Sequence, residues 1–323
     1  MTNDGNIKAM RDVFLRELIP HMERDENIFF LSADFGSPVL DTIREKFPDR
    51  FINVGIAEQN LINVATGLAL EGFTVYAYAI APFITMRCYE QIRVNLGILS
   101  QVRPLNVNLV GVGAGFSYVV SGPTHQCLED LSIMRTLPNL ELFSPSDWVC
   151  TKEFVRFSLH KVCPKYIRLD AKPLAAIYDE NTPMDIAAGF FELKKGKDVC
   201  VISTGYMTHK ALAVWEVFRE KNIDIGVIDL FMLKTLAIDR LAGIIGRYAY
   251  IITIEEGFTG KGGLDSLVLH LINKKGIDIK IDNLGLTDTY NFLVGSRDFL
   301  HDRNNAGQKK LMSCINKYLK KHS

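Results

Sequence analysis

The sequence predicts an α/β fold of two doubly wound domains, and three observations carry the prediction. Apolar runs of strand length alternate with stretches of helical period, the pattern of a parallel sheet covered on both faces. The alternation runs as far as Tyr166-Ile167-Arg168-Leu169 and then breaks over 171–188, where Pro173 and Pro183 interrupt a stretch of mixed polarity. It then begins again and continues almost to the last residue. Two domains, 1–172 and 188–323, joined by a linker at 173–187, are therefore expected. With 48% hydrophobic residues among 323, each half can bury a core of its own.

Taken in order, a helical pattern over 7–22 leads into a strand at 28–33. A short strand at 51–54 precedes a helix over 57–70, in which Ala57, Leu61, Val64, Ala65, Leu68 and Ala69 recur on one face. A strand at 73–79 precedes the segment 82–96, and an apolar strand follows at 105–111. The second half reads as strand 199–203, helix 207–220, strand 225–230, helix 238–245, strand 250–255, helix 264–273, strand 277–284 and a last helix over 308–320. Right-handed crossovers are expected throughout. Ser203-Thr204-Gly205-Tyr206 lacks the GxGxxG spacing of a nucleotide loop and reads as a strand-to-helix turn. Gly260, Gly262 and Gly263, after Glu255-Glu256, permit a tight turn into the next helix.

Composition excludes several function classes. Thirty-seven basic residues balance 37 acidic ones, so nothing favours nucleic acid or a charged membrane as partner. No apolar run approaches a membrane span, and the residues before Ala9 do not read as a leader, so a cytoplasmic protein is expected. Cys88, Cys127, Cys150, Cys163, Cys200 and Cys314 form no CxxC pair and no metal-ligand spacing, and read as reduced structural thiols. Cys127 lies two residues after His125, but nearness in sequence is not the geometry of a nucleophilic pair.

Chemistry concentrates in three blocks. Gly55-Ile56-Ala57-Glu58-Gln59-Asn60 places a carboxylate in apolar sequence in a first helical turn, where the dipole favours its ionised form and burial its protonated one. On residue type alone it is a helix carboxylate satisfied by backbone donors. It is joined by Phe83 with Tyr89-Glu90-Gln91-Ile92-Arg93, and by Gly122-Pro123-Thr124-His125-Gln126 with Glu129-Asp130-Leu131. In order and spacing the three blocks, with Phe51 to Asn60 taken whole, resemble the pyrimidine-binding domain of the transketolase family. The resemblance extends through the C-terminal domain and is most specific from Phe51 to Asp147.

That resemblance implies roles for individual residues. Glu58 would bond N1′ of the aminopyrimidine of thiamine diphosphate, favouring the imino tautomer whose exocyclic nitrogen deprotonates the thiazolium carbon. Phe83 would stack on the pyrimidine, with Ile56, Tyr89 and Met86 around it, although Tyr89 reads equally well as a core aromatic. His125 would face the reactive carbon and the substrate, where an imidazole suits proton transfer. Arg11, Ser37 and Arg168 fall near positions where relatives contact a sugar phosphate, and each reads as well as a surface ion pair or helix cap; Arg297 is a weaker candidate. Ser121 stands where ketose-phosphate enzymes of the family commonly carry Asp, and 110–116 lacks a histidine expected upstream of the His125 loop. Those departures put the sugar specificity, not the cofactor, in question.

The chain contains no Gly-Asp-Gly, the motif that with a later Asn holds diphosphate and a divalent metal in thiamine enzymes. No metal ligand is assigned here. The resemblance is thus to the C-terminal subunit of a split transketolase, a transferase active only with an N-terminal-type partner that carries the GDG…N motif and the Mg2+ or Ca2+. An α2β2 heterotetramer is the expected assembly, moving a two-carbon ketol unit from a ketose, in the expected case phosphorylated, to an aldose. Three alternatives stand: a deoxyxylulose-phosphate-synthase-like enzyme using pyruvate, a 2-oxo acid dehydrogenase β subunit, and a non-enzymatic scaffold.

Overall fold

The computed structural model of the chain describes residues 7–322, so the six residues before Ile7, where no leader is expected, lie outside it. The described chain starts on β1 (Ile7–Lys8), which pairs antiparallel with β8 (Leu174–Ala175). The helix expected over 7–22 accordingly begins later, at Met10–Arg24, because the backbone of Ile7 and Lys8 is engaged by that ladder.

β2 (Ile28–Ser32), β3 (Phe51–Asn53), β4 (Thr74–Ile80), β5 (Asn106–Val112), β6 (Glu141–Phe143) and β7 (Lys165–Leu169) form a six-stranded sheet in the order β3-β2-β4-β5-β7-β6, every pair parallel. All residues of β5 and β7 are buried, as expected of central strands covered on both faces, although Asn106, Asn108, Lys165 and Arg168 are polar. Lys165, fully buried, donates to Asn106 Oδ1 and the Cys163 carbonyl, and burial lowers its pKa to about 8. Phe14, Leu18 and Phe154, from the helices Met10–Arg24 and Trp148–His160, cover one face over Tyr76, Val110 and Ile167.

The second sheet holds β9 (Phe190–Lys194), β10 (Val199–Ser203), β11 (Ile225–Leu230), β12 (Tyr250–Phe258) and β13 (Lys280–Leu286) in the order β13-β12-β10-β11-β9. Here β9 runs antiparallel to β11 on the edge, a strand the sequence pattern does not announce. The helices Pro38–Lys46, Trp148–His160 and Arg297–Arg303 also go beyond the expected elements; they are marked mainly by their caps, Ser37, Asp147 and Ser296. Asp147 does more than cap: its second oxygen accepts from the N–H groups of Ile177 and Tyr178, tying the stretch after β8 to the first sheet.

One core cluster runs through both halves, from Leu31, Ala65 and Leu109 to Ile202, Leu230 and Leu264. The main chain crosses the same seam: Leu233 N–H donates to the Leu142 carbonyl at 3.0 Å and Ser144 N–H to the Phe231 carbonyl at 2.8 Å. No helix is long and apolar enough to cross a membrane among the described residues.

Candidate active site

Because β2, β3, β4, β5 and β7 are parallel, their C-terminal ends lie on one edge of the sheet, where crevices of open α/β folds form. The order reverses between β2 and β4. The turns after β3, β4 and β5 on that edge lead into the three sequence blocks.

After β3 the turn is built around Gly55 at φ 76°, a left-handed conformation that strains any side chain. Asn53 Oδ1 accepts from the N–H groups of Gly55 and Asp34, fixing the turn to the end of β2. The turn throws Ile56 outward, 76% exposed, and brings Glu58 inward, 5% exposed, at the start of the helix Glu58–Leu70. That helix has no side-chain cap, so its dipole bears on Glu58 directly. Cys88 lies against the carboxylate; burial and then the charge of Glu58 push its thiol up to about 12.

After β4 the chain does not form one α-helix but two π-helical turns, Phe83–Arg87 and Ile92–Ile98, around a short α segment. Wide turns of this kind re-aim side chains and recur at functional sites. Here they set Arg87 over Phe83, with Cζ 3.7 Å from the ring centroid, and bring its Nη1 3.0 Å from Glu58 Oε1. Gln59 donates to the Arg87 carbonyl from the same helix end.

After β5 the loop carries His125 back over the edge. His125 lies edge-on to Phe83, with centroids 5.2 Å apart, and edge-on to Tyr118 at 6.2 Å; its Nδ1 is 3.0 Å from Thr124 Oγ1. An antiparallel bridge between Gly115 and Cys127 closes the loop. Around it Tyr78 Oη, Ser117 Oγ and both amide atoms of Gln126 are buried with no hydrogen-bond partner among the described residues. Groups left this way cost stability unless a ligand or water meets them.

The structure thus brings Glu58, Phe83 and His125 into one cluster, with Ile56 and Met86 exposed at its rim and Ser121 exposed on the His125 loop. Tyr89 is set apart, since its hydroxyl meets the Ile133 carbonyl and Thr136. Arg11 is half-buried beside Tyr78 and Tyr118, where its charge opposes the rise that burial imposes on both phenols. Ser37 is the buried N-cap of Pro38–Lys46, accepting from Leu40 N–H. Arg168 needs correction as a phosphate contact. It is 2% exposed and fully engaged by Asp130, at 2.7 Å, and by the carbonyls of Cys127 and Glu256. Arg297 is likewise unavailable, buried between Asp170 and Glu256. Cys127 is fully buried, and burial raises its thiol well above its ordinary value, against a nucleophilic role. Arg87 and Tyr118 were missed by the sequence reading; both lie inside or beside the three blocks, without motif positions of their own.

Whether thiamine diphosphate fits can be judged from Arg87. Its flat, nitrogen-bearing guanidinium makes the two contacts an aminopyrimidine needs, stacking on Phe83 and a hydrogen bond to Glu58. The residues present therefore suit the ring half of the cofactor. For the other half, no cluster of His, Cys, Asp or Glu able to hold a metal occurs among the described residues.

Comparison with known proteins agrees with this geometry. The transketolase pyrimidine-binding domain model matches residues 7–174, and the transketolase C-terminal domain model matches 191–299. The chain is 32% identical to a putative transketolase C-terminal section of Methanocaldococcus jannaschii over 88% of its own length and 89% of that protein. It is 31% identical to one of the subunits of an apulose-4-phosphate transketolase of Actinobacillus succinogenes, over 91% and 93%. Among solved structures, a split gene transketolase described as an inactive β4 tetramer superposes with a TM-score of 0.84 at 29% identity, covering 96% of this chain and 97% of that one. With both domain models matched in order along two wound sheets, the chain belongs to the thiamine diphosphate-dependent transketolase family.

Proposed function

We propose that this chain is the subunit of a two-chain transketolase that contributes the aminopyrimidine half of the cofactor site, and that the assembled enzyme transfers a two-carbon ketol unit from a ketose to an aldose. The observation that carries the reading is the convergence of Glu58, Phe83 and His125 on one sheet edge, next to buried polar atoms without partners. Glu58 would hold the ring nitrogen and Phe83 its face, with Arg87 moving aside. Thiamine diphosphate, when bound there, supplies a nucleophilic carbon that cleaves and forms carbon–carbon bonds. His125, on a loop anchored at Gly115 and Cys127, would pass protons to and from the substrate oxygen. Arg11, half-buried near Tyr118, pairs through Nε with Asp12 at 2.8 Å and is less deeply buried than Arg168 and Arg297, so of the three it is the one proposed to meet a sugar phosphate.

Two features support a partner chain. No group of His, Cys, Asp or Glu able to hold a metal occurs among the described residues, and Ile56, Met86, Val94 and Ile98 are exposed apolar side chains in the segments that carry Glu58 and Phe83. The proposed partner carries the GDG…N motif with Mg2+ or Ca2+, and a two-fold α2β2 assembly would close the sites.

The test is to co-express the chain with such a subunit and assay ketol transfer with phosphorylated ketoses, pyruvate and a lipoyl acceptor in parallel. Ketol transfer by the pair and none by the isolated chain is the expected result. Carbon dioxide release from pyruvate would point instead to the synthase-like reading, and reduction of a lipoyl carrier to the dehydrogenase reading. Absence of cofactor from the assembled pair would leave a scaffold.

A further inference from the structure

Position 113, where β5 ends, has φ +113° and no side chain, and the reason is on its flank: a Cβ built there would lie 2.2 Å from Tyr118 Cε2. The tyrosine ring lies flush on the backbone and takes the room that any side chain at 113 would fill. Its edge meets His125 at 84° between planes, so the ring bounds one side of the proposed proton-transfer group. Tyr118 is half-buried, and its hydroxyl forms no hydrogen bond among the described residues. Burial, offset by the charge of Arg11 and reinforced by that of Asp170, raises its pKa, so the phenol keeps its proton. The same corner holds the buried Tyr78 hydroxyl, beside the Arg11 guanidinium, which itself pairs with Asp12 at 2.8 Å. An aromatic ring with a neutral O–H donor thus lies next to His125, and the Arg11–Asp12 pair lies near that phenol.

We propose that Tyr118 is a specificity-determining residue: its ring limits the space beside His125, and its hydroxyl donates to an oxygen of the bound sugar. The proposal rests on the ketol-transfer reading and deepens it, naming the residue that sets which sugars are admitted beside His125.

The test uses the reconstituted two-chain enzyme. Tyr118→Phe keeps the wall and removes the donor. It is expected to raise KM for phosphorylated sugars by about tenfold, with kcat changed less and thiamine diphosphate affinity, measured calorimetrically, unchanged. Tyr118→Leu opens the wall and is expected to shift the ranking of kcat/KM among sugars toward bulkier ones. Thermal melts of both variants, matching the wild type, separate these effects from misfolding. If the wild-type pair transfers ketol units but Tyr118→Phe matches it on every sugar, the role of Tyr118 is overturned and the wider reading stands. A loss of cofactor affinity with unchanged KM likewise overturns it. If the wild-type pair transfers no ketol unit at all, both readings fall together.

Discussion

The two sheets of this chain have the same winding, yet their C-terminal edges have opposite fates. On the first edge Glu58, Phe83 and His125 gather at the strand ends, and buried polar atoms of Tyr78, Ser117 and Gln126 stay unpaired. On the second edge the buried carboxylates Asp229 and Glu256 are matched inside the protein, although Glu255 Oε2 and His301 Nδ1 have no partner among the described residues. Asp229 accepts from Ser146, Tyr178 and Thr208, while Glu256 is gripped by Arg297 and His301 and accepts weakly from Phe116 N–H at 3.4 Å. The same architecture can therefore make a site or a seam, and what decides is whether the strand ends find partners within the chain. Conserving the fold is not conserving the chemistry.

That contrast can be broken or sharpened by substitution. Glu58→Gln should lower kcat of the assembled pair by about 10²–10⁴-fold while leaving the melting temperature of the chain unchanged, because its one ion pair involves a half-exposed arginine. A fall in stability with activity retained would place Glu58 with the seam residues. Glu256→Gln should do the reverse at its own edge, costing about 3 kcal/mol in urea melts by leaving the Arg297 charge short of a partner in a buried site.

Proton linkage gives the two kinds of buried carboxylate opposite signatures. Burial acts to raise Glu256, but the Arg297 charge and the His301 and Arg297 hydrogen bonds outweigh it and hold its pKa far below 4.5. The unfolded chain then binds the extra proton, so this contribution is present above about 4.5 and is lost as pH falls toward the folded value. Asp229 is raised by burial from 3.8 to about 7, despite its three hydrogen-bond donors. Its contribution is fully present below 3.8 and is lost as pH rises through about 7. Stability measured against pH should thus lose its acid limb in Glu256→Gln and flatten between roughly pH 4 and 7 in Asp229→Asn.

Smaller effects test the rim. Arg87→Met removes the guanidinium that covers Phe83 and pairs with Glu58, and should tighten thiamine diphosphate binding by the pair up to about tenfold in calorimetry. Weaker binding would instead make Arg87 a cofactor contact. Ser37→Ala should cost about 1 kcal/mol for the lost cap. Any further rise in KM for a phosphorylated sugar would give the hydroxyl a second role.

The sequence made legible whatever depends on near neighbours. The helix beginning beside Glu58 and the alternation in both halves follow from apolar period, and the observed helix Glu58–Leu70 differs from the expected span by one residue. The edge strand Phe190–Lys194 escaped because it ends in Leu193-Lys194 on a half-exposed surface, where alternation is weak. Arg168 and Arg297 misled for a different reason: each arginine meets its carboxylate across a long stretch of chain, Asp130 38 residues away and Asp170 127 away. Residue type announces a charge, but only the fold says whether that charge is already matched. Tyr118 was invisible for the same cause, since its importance comes from an empty position five residues earlier.

One contact made near the domain seam reaches furthest. Gly115 has no room for a side chain because Glu256, 141 residues later in the chain, presses against it, and the neighbouring Phe116 N–H points at the same carboxylate. The strand bearing Glu256 therefore acts as a bolt through the loop that carries His125. Swivelling one lobe against the other would draw that bolt and unseat the histidine, so the His125 loop is expected to keep its place only while the two lobes hold theirs.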